Sequence, residues 1–139
     1  MPALADPLAR LAAARVAYLA TVSAGGAPHV VPIVLAVDGD RILTAIDGKP
    51  KAPGRPRRLA NIAANPHVAV LADHYDDGDW SRLWWVRADG VARIAEACAE
   101  REHGLASLRA RYAQYRGEVA LDGPLVVVEI TAIRGWSMA

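Results

Sequence analysis

Two stretches of this chain are apolar on both faces of the strand each would form, and that property limits the fold more than any other. From His29 to Val37, alternation puts Val31, Ile33 and Leu35 on one side and Val30, Val34 and Ala36 on the other. Leu125 to Ile133 behaves in the same way. A sheet with one wet face alternates apolar and polar residues, so these strands need cover on both sides. The wall of a small barrel meets that need when a helix or a second subunit lies against its outer surface. Pro32 has no N–H to give a ladder, which predicts a bulge or an edge strand at that point.

Glycine turns set the order of the strands. Ala24-Gly-Gly-Ala27 joins a strand over Val16 to Ser23 to the one over His29 to Val37, and Asp38-Gly-Asp40 leads on into Arg41 to Asp47. These three read as an antiparallel meander. His67 to Asp73 is a fourth strand. Beyond the acidic loop Tyr75-Asp-Asp-Gly-Asp79, Arg82 to Glu96 reads as one long strand or a bent hairpin around Asp89-Gly90.

Three helices are predicted. Asp6 caps the first, with Pro7 at its first position and Leu4, Leu8, Leu11 and Arg15 along one side. The second runs from Arg57 to Ala64 and is closed by Asn65-Pro66. Ala97 to Tyr115 forms the third, with Cys98, Leu105, Leu108, Tyr112 and Tyr115 in one stripe. Gly104 costs about 1 kcal/mol in a helix interior, so two shorter helices are the alternative. About six antiparallel strands with few helices give a mainly β, α+β barrel in a single domain, residues 1–139. The doubly apolar walls favour a homodimer.

Charge supplies a second constraint. Lys49 and Lys51 are the only lysines, and they share one loop with Arg55, Arg57 and Arg58. From Asp47 to Arg58 the charge is five positive and one negative, +4, on a chain whose net charge is +1, so the remainder sums to −3. Pro56 suits a helix start, yet Arg57 and Arg58 then oppose the helix dipole by about 0.3–1 kcal/mol. An anion held at the helix start removes that conflict. A solvated basic loop without a ligand is the other reading.

Hydrophobic residues make up 53% of the chain, but no apolar run approaches the roughly 18–20 residues of a membrane span. The N-terminus shows no signal-peptide pattern. Cys98 is the sole cysteine, which excludes an internal disulfide, and the four histidines lack ligand spacing, so no metal is expected. A cytoplasmic protein fits these features.

Taken in order, the segments carry a resemblance. The P-H-V-V-P strand, I-L-T-A-I-D, the basic loop, R-R-L-A-N-I-A-A-N-P-H-V-A-V-L and D-W-S-R-L-W-W-V-R-A-D-G-V-A-R resemble the split β-barrel superfamily. That group includes pyridoxamine 5'-phosphate oxidase and the deazaflavin-dependent oxidoreductases, and the last stretch is similar to the branch assigned to coenzyme F420. The resemblance implies that Arg57 and Arg58 hold the cofactor phosphate. It also implies that Thr44, Ala45, Ile46 and Asp47 lie along the ring. Lys49, Lys51 and Arg55 suit the longer acidic tail of F420, with FMN as the alternative cofactor. The Arg-x-His substrate element of the oxidase is missing; the chain ends Arg134-Gly-Trp-Ser-Met-Ala139.

The implied chemistry is hydride transfer to a small unsaturated substrate, which needs alignment and exclusion of water more than side-chain catalysis. No catalytic side chain is assigned. Trp80 and Trp85 are candidates for the substrate pocket, although Trp84 and Trp85 must face opposite sides of a strand. Packing in the core or an interface is the alternative for each. His29 either polarises a ring carbonyl or is a wall residue satisfied by backbone. His74 and Tyr75 are candidate proton donors, and Asn61 either reaches the ligand or lies exposed. A nucleic-acid-binding barrel would need a broader basic stripe than one loop supplies.

Overall fold

Sequence-adjacent strands lie at opposite edges of the sheet. In the computed structural model, which describes residues 3–47 and 55–138, seven strands form one antiparallel sheet in the order β2-β1-β5-β6-β7-β4-β3. The strands are β1 (Ala17–Val22), β2 (Pro28–Ile33), β3 (Ala36–Asp38), β4 (Arg41–Ala45), β5 (His67–His74), β6 (Trp84–Ala95) and β7 (Leu125–Ser137). A flat sheet of seven strands would be about 29 Å across. Only Val34 and Leu35 join its two edges, a reach of about 11 Å at most. The sheet therefore curls into a split barrel.

This arrangement corrects the expected three-strand meander. His29 to Val37 is two strands, not one, which also raises the count from about six to seven. The break has a clear cause. Leu35 leaves the ladder, and side chains of the third helix take over its backbone groups: its N–H donates to Tyr112 Oη at 3.1 Å, while Tyr112 Oη and Arg111 Nη1 each donate to its carbonyl at 2.7 Å. Pro32 sits on β2, an edge strand, as its missing donor requires.

The helices are α1 (Pro7–Ala13), α2 (Arg57–Ala64) and α3 (Ala99–Arg111). Asp6 accepts from the Ala9 N–H at 3.0 Å, as expected of a cap. The third helix is shorter than Ala97 to Tyr115: it stops at Tyr112, and Ala113–Arg116 follows as a 3-10 turn. Cys98 is exposed at its start, outside the buried stripe. Gly104 lies inside one continuous helix, at a position where a Cβ would collide with Leu125. The stretch expected from Arg82 to Glu96 resolves as one long strand, Trp84–Ala95, whose register shifts between Asp89 and Gly90, with Arg82 in a preceding 3-10 turn.

Two apolar layers explain the doubly apolar strands. Leu19, Leu35, Ile42, Val70, Val86 and Val126 fill the barrel interior. Leu43, Leu105, Leu108, Leu125 and Val127 form a second layer between α3 and the outside of β4 and β7. On the other half of the barrel no element among the described residues covers the wall: Val30 is 60% exposed, and Tyr18, Leu71 and Val91 are also exposed. Tyr18 lies opposite both Pro32 and Leu71, and Ala20 opposite Val30, so these residues form one outward surface. Among the described residues no helix is long and apolar enough to cross a membrane.

Candidate cofactor site

The end of β4, the β2–β3 break and the start of α2 converge on a cavity of about 350 Å³. Its apolar wall comes from Val16, Pro32, Ile33, Val34 and Ala45, and its polar groups from Thr44, Asp47, Arg58 and Tyr115. The exit of β4 is fixed by register and by close packing. Ala45 lies opposite Leu125, the Ile46 N–H donates to the Pro124 carbonyl at 3.0 Å, and Gly123 meets Ile46 so closely that a Cβ would strike its carbonyl oxygen. Asp47 is thereby carried to the mouth of the cavity.

Arg58 is the second residue of α2, whose cap, Pro56, gives no side-chain hydrogen bond. Its Nε is buried and has no hydrogen-bond partner among the described residues. Burial pushes the guanidinium pKa down, while the charges of Asp47 and Tyr115 pull it back up. A half-buried cation with an unsatisfied donor, beside a helix start that is not capped, is suited to an anion. Tyr115 donates to Asp47 Oδ2 at 2.7 Å. Its phenol is pushed well above the usual range, first by burial and then by that hydrogen bond and the Asp47 charge.

Of the residues named from sequence, the cavity gathers Thr44, Ala45, Asp47 and Arg58. Ile46 points into the core instead. Arg57 is exposed and does not line the cavity. Arg55 is exposed and faces Glu96 at 3.4 Å. Lys49 and Lys51 lie outside the described residues. Asn61 is neither at the cavity nor at the surface: it is buried and donates to Thr21 Oγ1 at 3.0 Å, clamping α2 to β1.

The aromatic candidates are elsewhere. Neither Trp80, Trp84 nor Trp85 lines the β4–α2 cavity. Trp80 is 59% exposed, and Trp85 pairs with Trp136. Trp84, not Trp80 or Trp85, lines a second cavity of about 430 Å³, together with Arg10, His74, Ser81, Arg82 and Ser137. Arg10 lies over the Trp84 ring at 4.9 Å and His74 stacks on it at 6.4 Å. The Tyr75 hydroxyl donates to Asp77 at 2.7 Å. His29 stands opposite Thr21 on the barrel wall, and its buried Nδ1 has no hydrogen-bond partner, backbone or side chain, among the described residues.

Tyr115 is the site residue that the sequence reading missed. Helical periodicity assigned it to a core stripe, and nothing local marks the end of the helix at Tyr112. The signal is a long-range one, the bond from Tyr112 to Leu35.

Comparison with known proteins bears on the family and the fold. Residues 7–139 match the family model described as Pyridoxamine 5'-phosphate oxidase. Over 73 residues, 52% of this chain, the sequence is 37% identical to a 5a,11a-dehydrotetracycline/5a,11a-dehydrooxytetracycline reductase of Streptomyces rimosus. The match spans about half of that relative, 50% of its length. An FAD binding protein from Mycobacterium smegmatis superposes with a TM-score of 0.65 at 25% identity, covering 98% of this chain and 97% of the other. An FAD-binding protein from Mesorhizobium loti gives 0.72 at 22% identity, covering 96% and 95%, a likeness of fold.

Proposed function

The chain belongs to the pyridoxamine 5'-phosphate oxidase family, and on that footing we propose that it is an oxidoreductase whose β4–α2 cavity binds coenzyme F420 and which reduces a small unsaturated substrate. The observation that carries this reading is Arg58. Its buried Nε, unpartnered among the described residues, and the start of α2 without a side-chain cap suit a phosphate, next to an apolar wall that suits a flat ring. When bound, the reduced coenzyme supplies a hydride.

The protein's own contribution is binding, orientation and dryness. Arg58 and the first N–H groups of α2 hold the phosphate, with Arg57 adding charge from the exposed side. Pro32, Val34 and Ala45 exclude water from one face of the ring. Thr44, buried at the end of β4, fixes the ring edge by hydrogen bonding. Arg55 exchanges Glu96 for the acidic tail of the coenzyme at little cost, because an exposed ion pair is worth about 0–1 kcal/mol. Lys49 and Lys51, outside the described residues, add positive charge to the same segment of the sequence. The same reading includes a homodimer, in which a second copy covers Tyr18, Val30 and Leu71.

FMN in the same cavity is the second reading. The Mycobacterium smegmatis likeness favours it, since that protein is named as FAD binding. The Streptomyces rimosus likeness favours a reductase in either case. Titrating the purified protein with F420 and FMN side by side tests the choice. Tighter binding of F420, with reduction of an electron-poor alkene only in its presence, supports the first reading. Preference for FMN replaces it with the second, and binding of neither removes both.

A further inference from the structure

The second cavity, of about 430 Å³, lies where α1, the end of β5 and the start of β6 meet. It shares no residue with the β4–α2 cavity. Local packing sets its shape. Gly135 lets α1 approach β7 closely, since a Cβ there would meet Leu4 at 3.0 Å and Pro7 at 3.1 Å. Arg10 follows Pro7 by three residues and so shares its side of the helix. Trp84 stands opposite His74 on one neighbouring strand and Ser137 on the other. The Arg10 guanidinium lies over the Trp84 ring at 4.9 Å, and the His74 ring is within 20° of parallel to it.

The charges around this space do not balance. Two arginines line it and no carboxylate does. Arg82 has a counter-charge in Asp76 at 3.5 Å, but Arg10 makes no ion pair among the described residues, and its guanidinium rests on the Trp84 ring instead. A guanidinium carries five N–H donors in a fork that matches a carboxylate. Neither ring nitrogen of His74 is hydrogen-bonded among the described residues, and an imidazole always keeps at least one N–H to donate. Ser81 adds no donor, because its hydroxyl donates to Asp79 Oδ1 at 2.6 Å. The volume is in the range of small-molecule sites and exceeds what an inorganic ion fills, while the Trp84 and His74 rings favour a flat frame. We propose that this cavity binds a small planar carboxylate, with Arg10 and His74 donating to its oxygens and Trp84 packing on its ring. The site stands apart from the coenzyme reading and does not depend on it.

The test is an NMR titration of the full chain with benzoate, set against benzyl alcohol, cyclohexanecarboxylate and inorganic phosphate. Benzoate should shift the Trp84 indole signal saturably, together with the backbone signals of Arg10 and His74 and not those of Thr44 and Ala45. Benzyl alcohol, flat but uncharged, should bind about tenfold more weakly or worse, the loss typical of a charge-assisted bond. Cyclohexanecarboxylate, charged but not flat, and phosphate should also bind more weakly than benzoate. Arg10→Gln should lose about tenfold in benzoate affinity, whereas Arg58→Ala should lose none. The wild-type comparisons keep the test decisive if Arg10→Gln does not fold. No saturable shift with millimolar benzoate, equal affinity for benzoate and benzyl alcohol, or unchanged benzoate affinity in a folded Arg10→Gln overturns the proposal. So does a benzoate response lost in Arg58→Ala, which puts the anion in the coenzyme cavity, or phosphate binding as tightly as benzoate, which makes the site one for simple anions.

Discussion

The Tyr115 hydroxyl donates to Asp47 Oδ2 at 2.7 Å, and this bond ties the segment after α3 to the end of β4. Two elements distant in sequence thus share one wall of the cavity. The same segment holds the β2–β3 break through Tyr112 and Arg111, so α3 organises the site from outside the barrel.

Burial of the Tyr115 phenol, together with this bond, gives stability an alkaline limit. The Tyr115 pKa is raised in the fold, while an unfolded tyrosine ionises near 10.0. Above about pH 10 the unfolded chain has lost a proton that the folded chain keeps, so stability falls as pH rises further. Below that pH the contribution is complete. Melting temperatures of wild type and Tyr115→Phe, taken across this range, should show a steeper alkaline decline in wild type.

Leu35 depends on α3 for its backbone partners. Tyr112→Phe leaves the Leu35 N–H without its acceptor in a part-buried position, which should cost about 1–3 kcal/mol. Denaturant unfolding measures this loss. Because Pro32, Ile33 and Val34 line the cavity, coenzyme affinity should fall in parallel.

The barrel itself could be read from the chain because it follows from periodicity. His29 to Val37 and Leu125 to Ile133 are apolar on both faces, and the glycine turns are local. Long-range partners are not written in any local pattern. The break at Val34-Leu35 needs Tyr112, the end of α3 needs Leu35, and the inward turn of Asn61 needs Thr21. Thr44, Ala45, Asp47 and Arg58 came from the resemblance, with Arg58 supported by the dipole conflict. The tryptophans were drawn toward the site by their chemistry, although none of Trp80, Trp84 and Trp85 lines the cavity.

Asn61 and Thr21 form a buried pair at 3.0 Å. Asn61→Ala strands the Thr21 hydroxyl and should destabilise the fold by about 1–3 kcal/mol. Coenzyme affinity should stay near wild type once the variant is folded. The double change Asn61→Leu with Thr21→Val should recover part of the loss in a double-mutant cycle.

Gly104→Ala sets helix propensity against packing. Alanine gains about 1 kcal/mol in a helix interior, but the new Cβ collides with Leu125, which is fully buried. Overpacking costs about 1–3 kcal/mol, so a net loss of stability is expected from thermal unfolding, not the usual gain.

The central claim is that Arg58 grips the acidic end of a redox coenzyme. Equilibrium titration of wild type and Arg58→Ala with F420 and FMN measures this most directly. A loss of about 1.5–3 kcal/mol, as for one charge-assisted bond, is predicted for the preferred coenzyme, with a smaller loss for the exposed Arg57→Ala. Equal affinity of wild type and a folded Arg58→Ala would contradict it.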